Sequence, residues 1–286
     1  MDVVDALLAQ SPRTPQRIVA ITEETTETLY RLGLGDRIVG VTCFTLRPKE
    51  AKQKPTVSSF LDANFEKIID LKPDLVVGFS DMQADIAREL AKRGVPVVIF
   101  NQRSVAEILQ TINATAALVG AADKGAVLVD ELVAHLREVA DVAASRARRP
   151  RVFFEEWPDP CISAIRWVSE LIELAGGDDL FKETRARHDA KGRFVSVDDV
   201  IARDPEVIIG SWCGKKVKRD SIAERYAATT AAKNDAIYEI PSELILQPGP
   251  ACLTDGVDAL LRILGAVVDG VPLPPAFADE ARRGDL

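Results

Sequence analysis

The sequence predicts an α/β protein made of two Rossmann-like lobes, each with a parallel sheet, joined by one long bridging α-helix. Three observations predict it. Apolar strand patterns alternate with helical patterns in both halves of the chain, a long strand-free helical stretch separates those halves, and the halves resemble each other.

The alternation begins with the strand Arg17–Ile21 and a helix over Glu24–Leu32, closed by Gly33 and Gly35. A strand at Arg37–Thr42, a helix at Asn64–Leu71, a strand at Leu75–Phe79, a helix at Met82–Arg93 and a strand at Val95–Phe100 follow. Ser104 to Arg148 carries no strand signal. Ala, Leu and Val recur there at helical spacing, over Val105–Leu118 and Lys124–Ala144, until Arg149-Pro150 ends the helix. Strands then return at Arg151–Phe154, Val207–Gly210 and Ala236–Ile240, with helices at Ile165–Leu174, Val197–Ala202, Ile222–Ala228 and Asp255–Val268. The expected organisation is an N-terminal extension over 1–16, a first lobe over 17–117, a bridging helix over 118–149 and a second lobe over 150–286.

The internal repeat is gapless. FEKIIDLKPDLVVG (Phe65–Gly78) aligns with VDDVIARDPEVIIG (Val197–Gly210), so that Ile68 faces Val200, Pro73 faces Pro205 and Asp74 faces Glu206. Each half also opens on an Arg-led apolar strand.

Composition excludes several functions. With 36 basic and 44 acidic residues the formal charge is −8, and the basic run Arg146, Arg148, Arg149 and Arg151 sits at a helix end, where cations suit the helix dipole. No nucleic-acid partner is expected. No stretch of about 18 apolar residues marks a membrane span. Cys43, Cys161, Cys213 and Cys252 are far apart and form neither a disulfide framework nor a zinc pattern. The opening MDVVDALLAQSPRTPQ lacks the features of a signal peptide, so the expectation is a cytoplasmic protein, or a periplasmic or other extracytoplasmic one whose export signal has been removed.

Parallel α/β sheets take ligands beyond the carboxyl ends of their strands, and two such lobes are expected to share a cleft there. The candidates are therefore the residues that follow each strand, Glu23, Glu24, Phe44 and Asp81 in the first lobe and Glu155, Trp157, Trp212, Cys213 and Glu243 in the second, together with a further loop of Ser58, Ser59 and Phe60 in the first lobe. Trp167 lies near the loop that Trp157 begins. Aromatic walls with a few polar groups suit a large, partly apolar ligand.

Glu155 and Glu156 are adjacent on an extended segment and point to opposite sides, so they do not act together on one bond; one is expected to face the cleft and the other to be solvated or paired. Cys213 in SWCGKK reads as a half-buried thiol beside a turn glycine; the rival is a nucleophile activated by Lys215 or Lys216, which lacks a nearby His base. His135 reads as structural and His188 as a loop residue. No catalytic residue, metal site or nucleotide motif is expected, and the expected state is a monomer that binds without chemistry.

RIVAITEETTETLYRLGLGDRIVGVT, ANFEKIIDLKPDLVVGF and QPGPACLTDGVDALLRIL resemble the class III periplasmic-type substrate-binding proteins of ABC transporters, over nearly the whole chain from Arg17. EEWPDP, RWVSELIELAGG and SWCGKK resemble most the cobalamin (vitamin B12)-binding branch. The resemblance implies a corrinoid held non-covalently, an ABC permease as partner and no covalent cofactor. It implies a ligand site using Phe44, Ser59, Phe60, Glu155, Trp157, Trp212 and Cys213, and permease docking through an acid on each lobe. Asp85 lies near the first position; at the second, Leu246-Gln247 replaces the acid and Glu243 is only nearby. An iron-siderophore or heme ligand is the same-class alternative, with Arg103, Arg166 and Arg193 as its candidates. A cytosolic corrinoid-handling protein and a Cys213-dependent enzyme are the others.

Overall fold

The computed structural model describes residues 2–5, 14–271, 273 and 280, so most of the expected N-terminal extension and the end of the chain lie outside the described residues. The chain divides into two compact units, Met1–Gln102 with Ala106–Glu131, and Arg103–Val105 with Leu132–Leu286.

Unit 1 is built on a five-stranded, wholly parallel sheet. Its strands are β1 (Ile18–Ala20), β2 (Ile38–Thr42), β3 (Thr56–Ser58), β4 (Leu75–Phe79) and β5 (Val97–Phe100), in the order β3-β2-β1-β4-β5. The connecting helices are α1 (Glu23–Arg31), α2 (Phe65–Asp70) and α3 (Ala84–Lys92), followed by α4 (Val105–Leu118). β1 and β4 are buried along their whole length, which is why they read as continuous apolar runs. Val19, Ile21, Ile68, Val76, Ile86 and Leu90 form the core between sheet and helices. β3 carries no sequence signal long enough to read as a strand; its Ser58 was expected in a loop.

Unit 2 has a four-stranded parallel sheet of β6 (Arg151–Glu155), β9 (Asp178–Asp179), β10 (Val207–Gly210) and β11 (Ile237–Glu239), ordered β11-β10-β6-β9. A two-stranded antiparallel hairpin, β7 (Trp157–Pro158) with β8 (Cys161–Ile162), follows β6. Helices α6 (Arg166–Leu174), α7 (Val197–Arg203), α8 (Arg219–Arg225), α9 (Thr230–Lys233), α10 (Ser242–Ile245) and α11 (Asp255–Asp269) complete it. Phe153 centres the core, its ring edge-on to Phe181 and to Tyr226 at 5.5 Å each.

The helix expected over 118–149 is shorter at both ends: α5 spans Ala122–Ala144. Gly120, at φ +74°, turns the chain out of α4 with a Schellman pair, Ala121 N–H to Ala116 O at 2.7 Å and Gly120 N–H to Ala117 O at 3.1 Å. Residues 145–149 have left the helix before Pro150. No helix among the described residues is long and apolar enough to cross a membrane.

The repeat seen in the sequence is a repeat of structure. β2-β1-β4-β5 in unit 1 has the connectivity of β9-β6-β10-β11 in unit 2. The aligned residues Asn64 and Ser196 both cap their helices, accepting from the backbone N–H three residues on. The aligned Lys72 and Asp204 both adopt left-handed backbone, at φ +49° and +46°. The aligned acids Asp74 and Glu206 accept from the N–H groups of Arg17 and Arg151, and those arginines return hydrogen bonds to the carbonyls of the left-handed turns. The Arg that opens each lobe therefore locks its first strand to the helix–turn–strand unit beside it.

Candidate functional site: the carboxyl-end faces of the two sheets

In each sheet the connections reverse direction beside the first strand, so the carboxyl ends splay between β1 and β4 in unit 1 and between β6 and β10 in unit 2. The residues at those two points are the natural ligand-facing positions.

In unit 2, β6 ends on Glu155, which is completely buried. Its Oε1 accepts from the Trp212 indole N–H at 3.2 Å, and its Oε2 accepts from Arg225 at 2.8 Å and from the Tyr226 hydroxyl at 2.9 Å. Three groups on the β10 loop and α8 thus converge on one carboxylate. Burial raises its pKa above the ordinary range, and the Arg225 charge and these hydrogen bonds oppose that shift. Burial also pushes the neighbouring Cys161 thiol up to about 11, and it lies 3.3 Å from the Tyr226 hydroxyl, so this cysteine is a protonated core group.

Glu156 points the other way, as alternation along a strand requires. It forms a two-point pair with the buried Arg193 (2.8 Å for the second contact) and accepts from Ile165 N–H at 2.9 Å. Neither acid of the pair is exposed as a catalytic base, and Arg193 is a brace and not an open ligand group. Arg166 is likewise engaged, with Glu170 at 2.8 Å.

The tryptophans separate. Trp167 is 2% exposed and donates to Ile245 O at 3.0 Å; the expectation of a ligand contact there is corrected, because the apolar face of α6 carries it into the core. Trp212, at 6% exposure, packs in the Phe153 core cluster, and the position after the strand brings it over the sheet end and not out to solvent. Trp157 is half-buried on β7, its indole N–H donating to Asp159 O at 3.1 Å and its ring under the Lys215 ammonium, 4.6 Å away. Cys213 is exposed at the tip of a turn closed by Lys215 N–H to Trp212 O at 3.0 Å. Gly214 takes φ +68° in that turn, which explains the glycine in SWCGKK. Glu243 is half-buried on α10.

In unit 1, Phe44 is exposed after β2, Ser59 and Phe60 are half-buried after β3, and Asp81 is exposed after β4. Ser59 is tied into its own loop through Asp62. Leu61 and Met82, which the sequence did not single out, are exposed apolar side chains, at 60% and 59%. With Phe44 they give this sheet end an apolar rim. Gln83, fully buried, was also missed: it accepts from Phe79 N–H at 3.1 Å and donates to Phe60 O at 2.9 Å, so it ties the β4 exit to the β3 exit. A Cβ on Gly78 would lie 2.4 Å from its amide oxygen, which accounts for that glycine.

Glu23 is half-buried in the first turn of α1, and Glu24 beside it is 3% exposed, below the surface where a ligand contact was expected. One Glu24 oxygen accepts from Thr22; the other has no hydrogen-bond partner. Burial raises its pKa to about 7, against the hydrogen bonds of Thr22 and Thr25. Because the folded value lies above the unfolded one, the protonated carboxyl stabilises the fold at low pH, and that stabilisation is lost as pH rises through 7. Between pH 5 and pH 8 this group is expected to withdraw about 2.5 kcal/mol of stability. Urea denaturation should find Glu24→Gln flatter over that range and more stable than the parent at pH 8; parallel pH profiles would refute it.

His135 lies 3.0 Å from Asp258, joining α5 to α11, and His188 is exposed in its loop. No group of three or more His, Cys, Asp or Glu among the described residues could hold a metal ion.

Residues 18–244 match a family model described as periplasmic binding protein. An ABC transporter substrate-binding lipoprotein of Bacillus subtilis is 29% identical over 87% of this chain and 79% of its own length. The vitamin B12-binding protein of Vibrio cholerae is 26% identical over 92% and 93%. Among solved structures, the periplasmic heme-binding protein of Roseiflexus sp. RS-1 aligns with TM-score 0.73 at 24% identity, over 87% of this chain and 99% of that one, and shares the fold.

Proposed function

The chain belongs to the periplasmic binding protein family, and from that premise we propose that it is the solute-binding component of an ABC importer whose ligand is cobalamin or a related corrinoid. Family membership supports binding without chemistry. The observation that carries the ligand reading is the half-buried indole of Trp157 beside the braced Glu155–Trp212 pair, at the point where the unit 2 sheet opens. A flat, largely apolar macrocycle edged with polar substituents suits such a surface. The vitamin B12-binding relative supports the corrinoid; the likeness to a heme-binding protein supports a second reading, in which a porphyrin takes the same surface.

Calorimetric titration with cyanocobalamin, and separately with hemin, tests the two. The expected result is one saturable site for cyanocobalamin at micromolar affinity or better. Saturation by hemin alone favours the second reading. No heat and no protection against thermal unfolding by either ligand at high micromolar concentration would overturn both. The relatives favour an extracytoplasmic location over a cytoplasmic one.

The same reading assigns Asp85 and Glu243 to the permease. The Asp85 side chain is 85% exposed in the first turn of α3 and pairs with Arg88 at 3.1 Å. Asp85→Lys is expected to lower transporter-dependent uptake severalfold while leaving ligand affinity unchanged; unaltered uptake would release the residue from that role.

A further inference from the structure

A basic loop lies against the half-buried Trp157. In a chain of formal charge −8, the segment 211–226 holds five cations, Lys215, Lys216, Lys218, Arg219 and Arg225, against two carboxylates, Asp220 and Glu224. Two of the cations meet the β7 strand from different elements. The Lys215 ammonium stands 4.6 Å from the centre of the Trp157 ring, and Arg225 donates to Pro158 O at 3.3 Å. Their states differ. Arg225 is neutralised by the buried Glu155 at 2.8 Å. Lys215 is exposed, and among the described residues no carboxylate lies within ion-pairing distance of it. Arg219, further along, is spent on Asp235.

A lysine with no carboxylate partner ordinarily extends into water, where its ammonium is best hydrated and its stem free. Here the turn that Gly214 allows, closed by the Lys215 N–H on Trp212 O, leaves the side chain over β7, and the ring holds the cation through a contact worth about 0.5–1 kcal/mol at an exposed site. That is too little to resist an incoming anion. An acid group brought to the rim of Trp157 would meet a positioned, uncompensated charge, with the rest of the loop adding attraction over about 8–10 Å.

We propose that Lys215, held over Trp157, is the subsite for an acidic substituent, a carboxylate or a phosphate ester, on the flat ligand of the unit 2 face. The proposal rests on the function put forward above and adds the chemical class of substituent that is recognised. The neutral edge of the ligand lies on the indole; the acidic edge exchanges the cation–π contact for an ion pair with the ammonium.

Two pairs of probes separate the acid from the ring system: hemin against its dimethyl ester, and cyanocobalamin against cobinamide, which lacks the nucleotide phosphate. Each is titrated into the wild-type protein and into Lys215→Gln, at low and at high salt. In whichever pair binds, the acidic member is expected to bind about tenfold more tightly than its partner at low salt, with the gap narrowing as salt rises. In Lys215→Gln the gap should fall to about twofold while the affinity for the neutral member stays unchanged. Equal weakening of both members by the substitution, or no discrimination by the wild type, overturns the subsite alone. No binding by any of the four probes removes the proposed function and this subsite with it. Circular dichroism at matched concentration confirms that the exposed Lys215→Gln variant is folded.

Discussion

Glu155→Ala is expected to destabilise the protein by about 3–5 kcal/mol, the range for removing one partner of a buried ion pair. The substitution strips the acceptor from the Trp212 indole, the Tyr226 hydroxyl and Arg225 together. The lower half of the range applies, because the Arg225 side chain is 24% exposed and can be hydrated once released. Urea denaturation gives the magnitude. Tryptophan emission gives a second readout, since the freed Trp212 loses its fixed partner. Glu155→Gln keeps the shape without the charge and should lose less. A loss below about 1 kcal/mol for the alanine variant would mean that the three donors find other acceptors and that Glu155 does not organise this end of the sheet.

Trp157→Ala is expected to weaken ligand binding about 30-fold, roughly 2 kcal/mol, as for an aromatic anchor at the centre of an interface. Its cost to stability should stay near 1 kcal/mol, because the side chain is only partly buried and lies at the margin of the core. Trp167→Ala makes the contrast. Buried in the unit 2 core, it should cost about 3–5 kcal/mol of stability. Calorimetry and urea denaturation on both variants distinguish the roles. Undiminished affinity in Trp157→Ala would place the ligand elsewhere.

That contrast was invisible in the amino-acid order. Both tryptophans flank the same loop, and both looked like wall residues. What separates them is that Trp157 lies on a two-residue hairpin strand just beyond the end of β6, whereas Trp167 lies on the apolar stripe of α6. The short strands β3, β7, β8 and β9 were equally hidden, since two or three residues carry no periodicity. Leu61, Met82 and Gln83 had no signal beyond falling within a few residues of a strand end.

The sequence by itself determined the α/β class, the order of the longer elements and the internal repeat, because each depends on local spacing: apolar residues every two or every three to four positions, glycine where the backbone turns left-handed, and an Arg–acid pair repeated at the same offset. It also determined that Glu155 and Glu156 would diverge, since that follows from the pleat. Only the tertiary structure decided which of them would be buried and with what. Glu155 is bound by Arg225 and Tyr226, seventy and seventy-one residues away, and Glu156 by Arg193. Burial and electrostatics are sums over neighbours that chain order does not bring together, and packing alone set which side chains at the strand ends became braces and which were left facing water.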